Sequence, residues 1–216
     1  MMLKPRIFDI SVSISEDLPV WPGDPSVEIN LDSSILQGSL ANISSIKFGL
    51  HSGTHIDAPF HFIQNGAKLD QIALERLTGP ALVIEISGSN NMISRKTLED
   101  LNLNSWPARI LFKTRNSSFW QNKPHYFQKD FCALELSAAQ FLVAKGVRLI
   151  GIDYLSVAPY ADPLPVHKEL LRNEIIILES IDLNAIEPGL YELVCLPLKL
   201  INTEAAPARA ILIKSG

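Results

Sequence analysis

"HSGTHIDAPFH", residues 51–61, concentrates three of the chain's five histidines and one aspartate in a single short stretch. Continued as a β-strand, it would put His51, His55, Asp57 and His61 on one face, because side chains alternate with period two. At ~3.3 Å per residue, however, His51 and His55 would then stand roughly 13 Å apart, whereas the ligands of one ion lie within a few ångströms of each other. The chain must therefore turn between them. Gly53 can take the positive φ that a tight turn asks for, and Pro59 stops a long helix from forming across the stretch. Such a turn at a strand end gathers two imidazoles and a carboxylate at one point, a donor set suited to Zn²⁺ or Mn²⁺. There is no H-E-x-x-H pattern, so the site is not that of a zincin.

Upstream of the turn, "RIFDISVSI" (6–14), "SVEINL" (26–31) and "SSIKFGLH" (44–51) alternate apolar and polar residues and predict half-buried strands. Between the first two, "VWPGDPS" places Pro22 and Gly23 where a type II turn needs them, with Trp21 at its mouth. Downstream the texture becomes mixed. The pattern predicts a short helix over 69–77, a strand over 80–87, a helix from Ser94 to about Leu101 and a strand over 108–114. A helix over 136–146 follows, with Ser137 as N-cap, Gln140 completing a capping box and Gly146 just past its end. Then come a buried strand over 147–153, a helix begun by Pro165, and strands over 174–181, 189–200 and 208–214. We find no domain boundary and no repeat, so the expectation is one mixed, β-rich α/β domain over 1–216.

Composition narrows the function. Of 216 residues, 47% are hydrophobic and 19% charged, enough apolar surface for one substantial core. The net charge of −4 comes without a long basic run, which argues against nucleic acid and anionic membrane as partners and for a small molecule. Asp9, Glu16 and Asp17 interrupt what a secretory signal would need, and no run reaches the ~18 apolar residues of a membrane span, so the expected location is cytoplasmic. Cys132 and Cys195 lie among apolar neighbours without C-x-x-C spacing and are expected as buried, reduced core residues.

A metal site begun at 51–57 needs ligands from elsewhere. His167 opens a predicted helix, and Glu179 follows four apolar residues. Buried without a partner, that carboxylate would cost several kcal/mol, which a cation would resolve; a strand end at the surface explains it equally well.

"HSGTHIDAPFHF" resembles the H-x-G-T-H-x-D-x-P-x-H signature of the metal-dependent cyclase family, which includes bacterial kynurenine formamidases and isatin hydrolases. "VWPGDPS", "LIGIDYLS", His167 followed twelve positions later by Glu179, and the closing "YELVCLPLKL…APARAIL" extend the likeness over nearly the whole chain. The resemblance implies the swivelling β/β/α cyclase fold, a homodimer or homotetramer, and two divalent ions, Zn or Mn. His51, His55 and Asp57 would hold the first ion, Asp57 would bridge to a second that also takes His167, and Glu179 would complete the set. His61 matches the family's catalytic histidine and Trp21 an aromatic lining the substrate pocket.

The implied activity is hydrolysis of the C–N bond of a small amide. A metal pair brings the pKa of a bound water towards ~7 and polarises the carbonyl, so no protein nucleophile is needed, in keeping with the lack of a G-x-S-x-G elbow or P-loop. N-formylkynurenine is the best single substrate, which would place the chain in tryptophan catabolism. A lactam or lactone hydrolase, a cyclase acting on another ring, and a non-catalytic metal-binding oligomer are the alternatives. The proline-rich segment "YLSVAPYADPLPV" departs from the tryptophan-pathway formamidases; it spares the ligands and bears on substrate choice. His125 reads as a surface residue, Arg209 as a strand-edge arginine able to meet a substrate carboxylate, and Trp106 and Trp120 as packing residues. Asp24, Asp153 and Glu204 are possible orienting partners for a ligating imidazole.

Overall fold

The computed structural model describes residues 5–88, 91–121 and 126–214. Its strands in chain order are β1 (Arg6–Asp9), β2 (Glu28–Ser33), β3 (Ile43–Lys47), β4 (His55–Asp57), β5 (Thr78–Glu85), β6 (Met92–Ile93), β7 (Arg109–Lys113), β8 (Ala133–Leu134), β9 (Leu149–Ile152), β10 (Ile176–Glu179), β11 (Gly189–Pro197) and β12 (Ala205–Lys214). The α-helices are α1 (Arg95–Glu99), α2 (Leu136–Ala144) and α3 (Leu164–Arg172).

The main sheet runs β1-β12-β11-β5-β7-β9-β10-β4 and closes on itself because β4 pairs with β12 as well as with β10. Residues 205–207 of β12 pair with β4, while 208–213 pair with β11. One long strand thus seals a barrel, leaving β4 without a free edge. The stretch β5-β7-β9-β10 is parallel, and its crossovers carry the helices onto the outer face. Parallel strands covered on both sides read as unbroken apolar runs, and all four residues of β9 are buried. Accordingly there are two large cores. Ile110, Phe112, Ile150 and Ile152 pack outward on Leu98, Leu142 and Leu170 of the helices, and Leu111, Leu149, Leu178, Leu193 and Leu212 fill the barrel. This is the mixed, β-rich α/β fold the residue pattern predicts.

Several local expectations are corrected. Residues 69–77 form two separate 3-10 turns, Leu69–Gln71 and Leu74–Arg76, with Ala73 extended at ψ 136 between them. A nine-residue helix is marginal on its own, and here the Leu69 N–H donates to Thr203 O and the Asn202 N–H to Asp70 Oδ1, tying the segment to a loop. In α2 the N-cap is Glu135, not Ser137; the Ser137 hydroxyl accepts from the Arg95 N–H instead, joining α2 to α1. Helix α3 starts at Leu164, one residue before Pro165. The pattern from 6 to 14 yields only β1 and a bridge from Ser11 to Ile181. Strands β2 and β3, expected half-buried, are exposed along almost their whole length.

Other readings hold. Ser94 caps α1 through the Thr97 N–H, the Asp24 N–H closes the turn at 21–24 on Trp21 O, and Cys132 and Cys195 are free and buried. Burial pushes both thiols up to about 12, which makes them inert. Trp106 packs edge-on against Phe141, and Trp120 donates to Asp153 O. Arg209 is committed to Asp9 in an exposed pair. His125 lies outside the described residues. Among those described, no helix is long and apolar enough to cross a membrane.

Asp153, wholly buried at the end of β9, accepts from the backbone N–H and hydroxyl of both Thr114 and Ser117. It fastens the β7 exit to β9, and its hydrogen bonds go to Thr114 and Ser117 rather than to an imidazole. Asp153→Ala strands buried backbone donors, so urea unfolding should show a loss of at least ~2 kcal/mol; an unchanged midpoint would contradict this.

Candidate metal centre

Strand register assembles the centre. In β4, His55 and Asp57 stand two residues apart and share a face, and in the antiparallel pairing with β10 His55 lies directly opposite Glu179. His55 Nε2 is 3.4 Å from both Asp57 Oδ1 and Glu179 Oε2. The turn before β4 runs through Gly53 at φ 67 and returns His51 to the same point, its Nδ1 3.0 Å from Asp57 Oδ1. Thr54 ties that turn down, accepting from the Val12 N–H and donating to Ser180 O next to Glu179. Helix α3 delivers His167, with Nε2 3.4 Å from Glu179 Oε1 and 4.0 Å from Asp57 Oδ2. A 3-10 turn over Pro59–His61 carries His61, whose ring centroid is 4.1 Å from that of His51. This turn lies so close to Gly66 that a Cβ there would meet Pro59 C at 2.6 Å.

The structure therefore brings His51, His55, Asp57, His61, His167 and Glu179 into one cluster. Two groups within it have ligand atoms mutually within 4.8 Å, His51 with Asp57 and His61, and His55 with Asp57 and Glu179. Asp57 belongs to both. This division differs from the one the resemblance implies, since His61 stands as near as a ligand and His51 and His55 fall in separate groups. Glu179 is 3% exposed, so the reading of it as a surface strand end is overturned.

The donor atoms are preset for a cation. His55 Nδ1 is hydrogen-bonded to Gly53 O at 2.8 Å and His167 Nδ1 to Pro163 O at 2.8 Å, so each presents Nε2 to the carboxylates. Among the described residues, His55 Nε2 and both oxygens of Asp57 are buried with no hydrogen-bond partner. Glu179 Oε1 accepts from the Val157 N–H at 2.7 Å, but two buried carboxylates side by side, one of them without a hydrogen bond, are costly unless a positive charge joins them. In the protein alone, burial works against a charge on His55, but contact with Asp57 and Glu179 overcomes it and carries the pKa to about 10. Burial likewise opposes ionisation of Asp57 and Glu179, yet the surrounding imidazoles hold both below the usual carboxylate range. A divalent cation held by the same atoms would replace that proton.

Above the cluster lies a cleft of about 200 Å³ with Trp21, Asp24, Phe62 and His167 in its walls. Trp21 is braced by Phe127 and Tyr160, ring centroids 5.4 and 5.3 Å away. Phe62 stacks on His167 at 4.6 Å, a contact the sequence reading missed because an apolar residue after a histidine carries no signal of its own. Glu204 Oε1 approaches His51 Nε2 at 3.6 Å from the mouth. Of the three orienting candidates, then, Glu204 reaches an imidazole, that of His51, Asp24 sits on the rim and Asp153 is bonded to Thr114 and Ser117.

A model of the family described as "Putative cyclase" matches residues 8–159. A kynurenine formamidase of Geobacillus thermodenitrificans is 38% identical over the full length of both chains. Cyclase-like protein 1 of Arabidopsis thaliana is 36% identical over 97% of this chain and 85% of its own. A solved structure described as a potential metal-dependent hydrolase with cyclase activity superposes with a TM-score of 0.84 at 31% identity, over 99% of this chain and 100% of that one.

Since His55 is protonated in the metal-free protein up to about pH 10 and a ligand must be neutral, Zn²⁺ uptake at pH 7.5 should release at least one proton, and affinity should rise with pH. Calorimetry in buffers of different ionisation enthalpy measures this; uptake without proton release would contradict it.

Proposed function

The chain belongs to the cyclase family, and from that premise we propose that it is a metal-dependent amidohydrolase that hydrolyses N-formylkynurenine to kynurenine and formate. The observation that carries this is the pair of Asp57 oxygens, buried without a hydrogen bond among His51, His55 and His167, below a cleft walled by an aromatic ring. We read two ions there, zinc or manganese, held through Asp57 with His51, His55, His167 and Glu179. Divalent cations in such a site polarise a carbonyl oxygen and bring the pKa of a water towards ~7.

The chain's own residues bind the substrate and move the proton. Trp21, held by Phe127 and Tyr160, offers a flat apolar face to an aryl ring and orients the formamide towards Asp57. Burial, opposed by the pull of Asp57 and Glu179 and joined by His51 and His167, keeps the pKa of His61 below its ordinary value. Neutral at pH 7, its imidazole accepts a proton from the attacking water and returns it to the departing nitrogen, which as an anilide leaves poorly without one. Asp24, on the rim beside Trp21, meets the substrate's α-ammonium group. We read the enzyme as a cytoplasmic homodimer or homotetramer acting in tryptophan catabolism, in a reducing compartment that suits its two free thiols.

Purified protein loaded with Zn²⁺ or Mn²⁺ should turn over N-formylkynurenine; inertness with metal bound would remove that substrate, and turnover of isatin in its place would make the enzyme a lactam hydrolase. His61→Ala should lower kcat by ~10²–10⁴ with metal content retained, whereas loss of metal would make His61 a ligand. Asp24→Asn should raise KM several-fold for N-formylkynurenine and leave that for formanilide, which has no ammonium, unchanged. An equal effect on both would take Asp24 out of substrate recognition.

A further inference from the structure

Residues 153–158, which follow β9, are all buried although they form neither helix nor strand. Buried backbone must find its hydrogen bonds inside the protein. Here Asp153 O accepts from Trp120 Nε1, Tyr154 O from the Ser180 N–H and Val157 O from the Leu134 N–H. The Val157 N–H donates to Glu179 Oε1 at 2.7 Å, and the Ala158 N–H to the Ser156 hydroxyl at 3.1 Å. That last bond occupies only a lone pair. A hydroxyl also carries one donor hydrogen, and among the described residues the Ser156 O–H has no acceptor. Ser156 is 3% exposed, and it is the one hydroxyl-bearing residue lining the cleft with His61, His167 and Glu179. A buried donor left unpaired costs stability, and a substrate oxygen would supply what it lacks.

We propose that Ser156 is a second catalytic residue, whose hydroxyl donates a hydrogen bond to the formyl oxygen of the substrate and holds that oxygen while it carries negative charge. The inference rests on the amide-hydrolase reading and adds to it a donor of the protein's own. Its backbone neighbour fixes its depth. Val157 grips Glu179, so Ser156 stands one residue from a contact to the carboxylate cluster, where the scissile carbonyl has to lie. The rest of the cleft offers that oxygen little else. Phe62, Leu155 and Pro163 are apolar, and the carboxylates of Asp24 and Glu179 repel a growing negative charge. When water adds to the formyl carbon, the carbonyl π pair moves onto oxygen. When the C–N bond breaks, that pair returns and the nitrogen takes its proton from His61. The Ser156 proton stays on its own oxygen throughout, in a hydrogen bond that strengthens as charge builds. By donating to Ser156 Oγ, the Ala158 N–H holds the hydroxyl in place and makes its O–H a better donor.

The test sets the residue against the substrate atom. Zinc-loaded full chain, wild type and Ser156→Ala, is assayed on N-formylkynurenine, on formanilide and on thioformanilide, whose sulfur accepts hydrogen bonds poorly. On the two oxygen substrates the substitution should lower kcat by about 10²-fold and leave KM within about threefold. Zinc content, and zinc affinity measured by calorimetry, should not change. On thioformanilide the two proteins should differ by less than about threefold, because the bond that the substitution removes is not made there. A loss as large on sulfur as on oxygen, or no loss on either, would overturn the role. Loss of zinc would do the same, making Ser156 a support for Glu179. Where Ser156→Ala does not fold, Ser156→Thr carries the test: it keeps a hydroxyl and should keep the wild-type preference for oxygen over sulfur, whatever its absolute rate. A threonine variant without that preference would overturn the role too. Zinc-loaded wild type inert towards both oxygen substrates would overturn the amide-hydrolase reading along with it, which sets that failure apart from a failure of Ser156 alone.

Discussion

The placement of His55 opposite Glu179 in the β4–β10 pairing, with Asp57 two residues further along the same face, is the constraint from which the rest of the structure follows. It brings two carboxylates and an imidazole together where water does not reach: Asp57 is fully buried and Glu179 nearly so. Concentrating that charge opposes folding unless something positive accompanies it. The imidazoles do this in part, and a cation does it fully. The arrangement that strains the metal-free protein is what would favour a bound cation.

Barrel closure and the centre are the same event. A three-residue strand is short to hold a register, but β4 is paired on both edges, to β10 and to the first residues of β12. His55, Asp57 and Glu179 therefore rest on backbone hydrogen bonds at the seam of the barrel, the kind of rigid support that a coordination sphere would require. The Trp21–Asp24 turn and the entry to α3 form the cleft above it, loop positions of the kind that set specificity in enzymes. Relatives that share the fold thus carry names as different as cyclase-like protein and kynurenine formamidase.

Much of this was legible in the residues. The turn at Gly53 followed from a distance argument, because extended chain could not bring His51 to His55, and the φ of 67 agrees with it. Pairing across more than a hundred residues was not legible: nothing local to "EIIILES" says that it lies beside "HID", so Glu179 read equally well as a surface residue. Alternation in β2 and β3 correctly declared an apolar face, but periodicity does not say what covers it, and among the described residues both strands stay exposed. Ser137 read as a cap because S-x-x-Q fits one, while the actual use of its hydroxyl, on the Arg95 N–H, depends on tertiary contact. The helix expected at 69–77 failed for a similar reason, its backbone groups being taken by the 202–203 loop.

The most direct test of the central claim is anomalous diffraction from crystals of catalytically active protein, recorded on both sides of the zinc and manganese absorption edges. The account predicts metal peaks within bonding distance of the Asp57 carboxylate, one of them also contacting His55 and Glu179. Active crystals with no anomalous peak near Asp57, its oxygens instead hydrogen-bonded to protonated histidines, would contradict it.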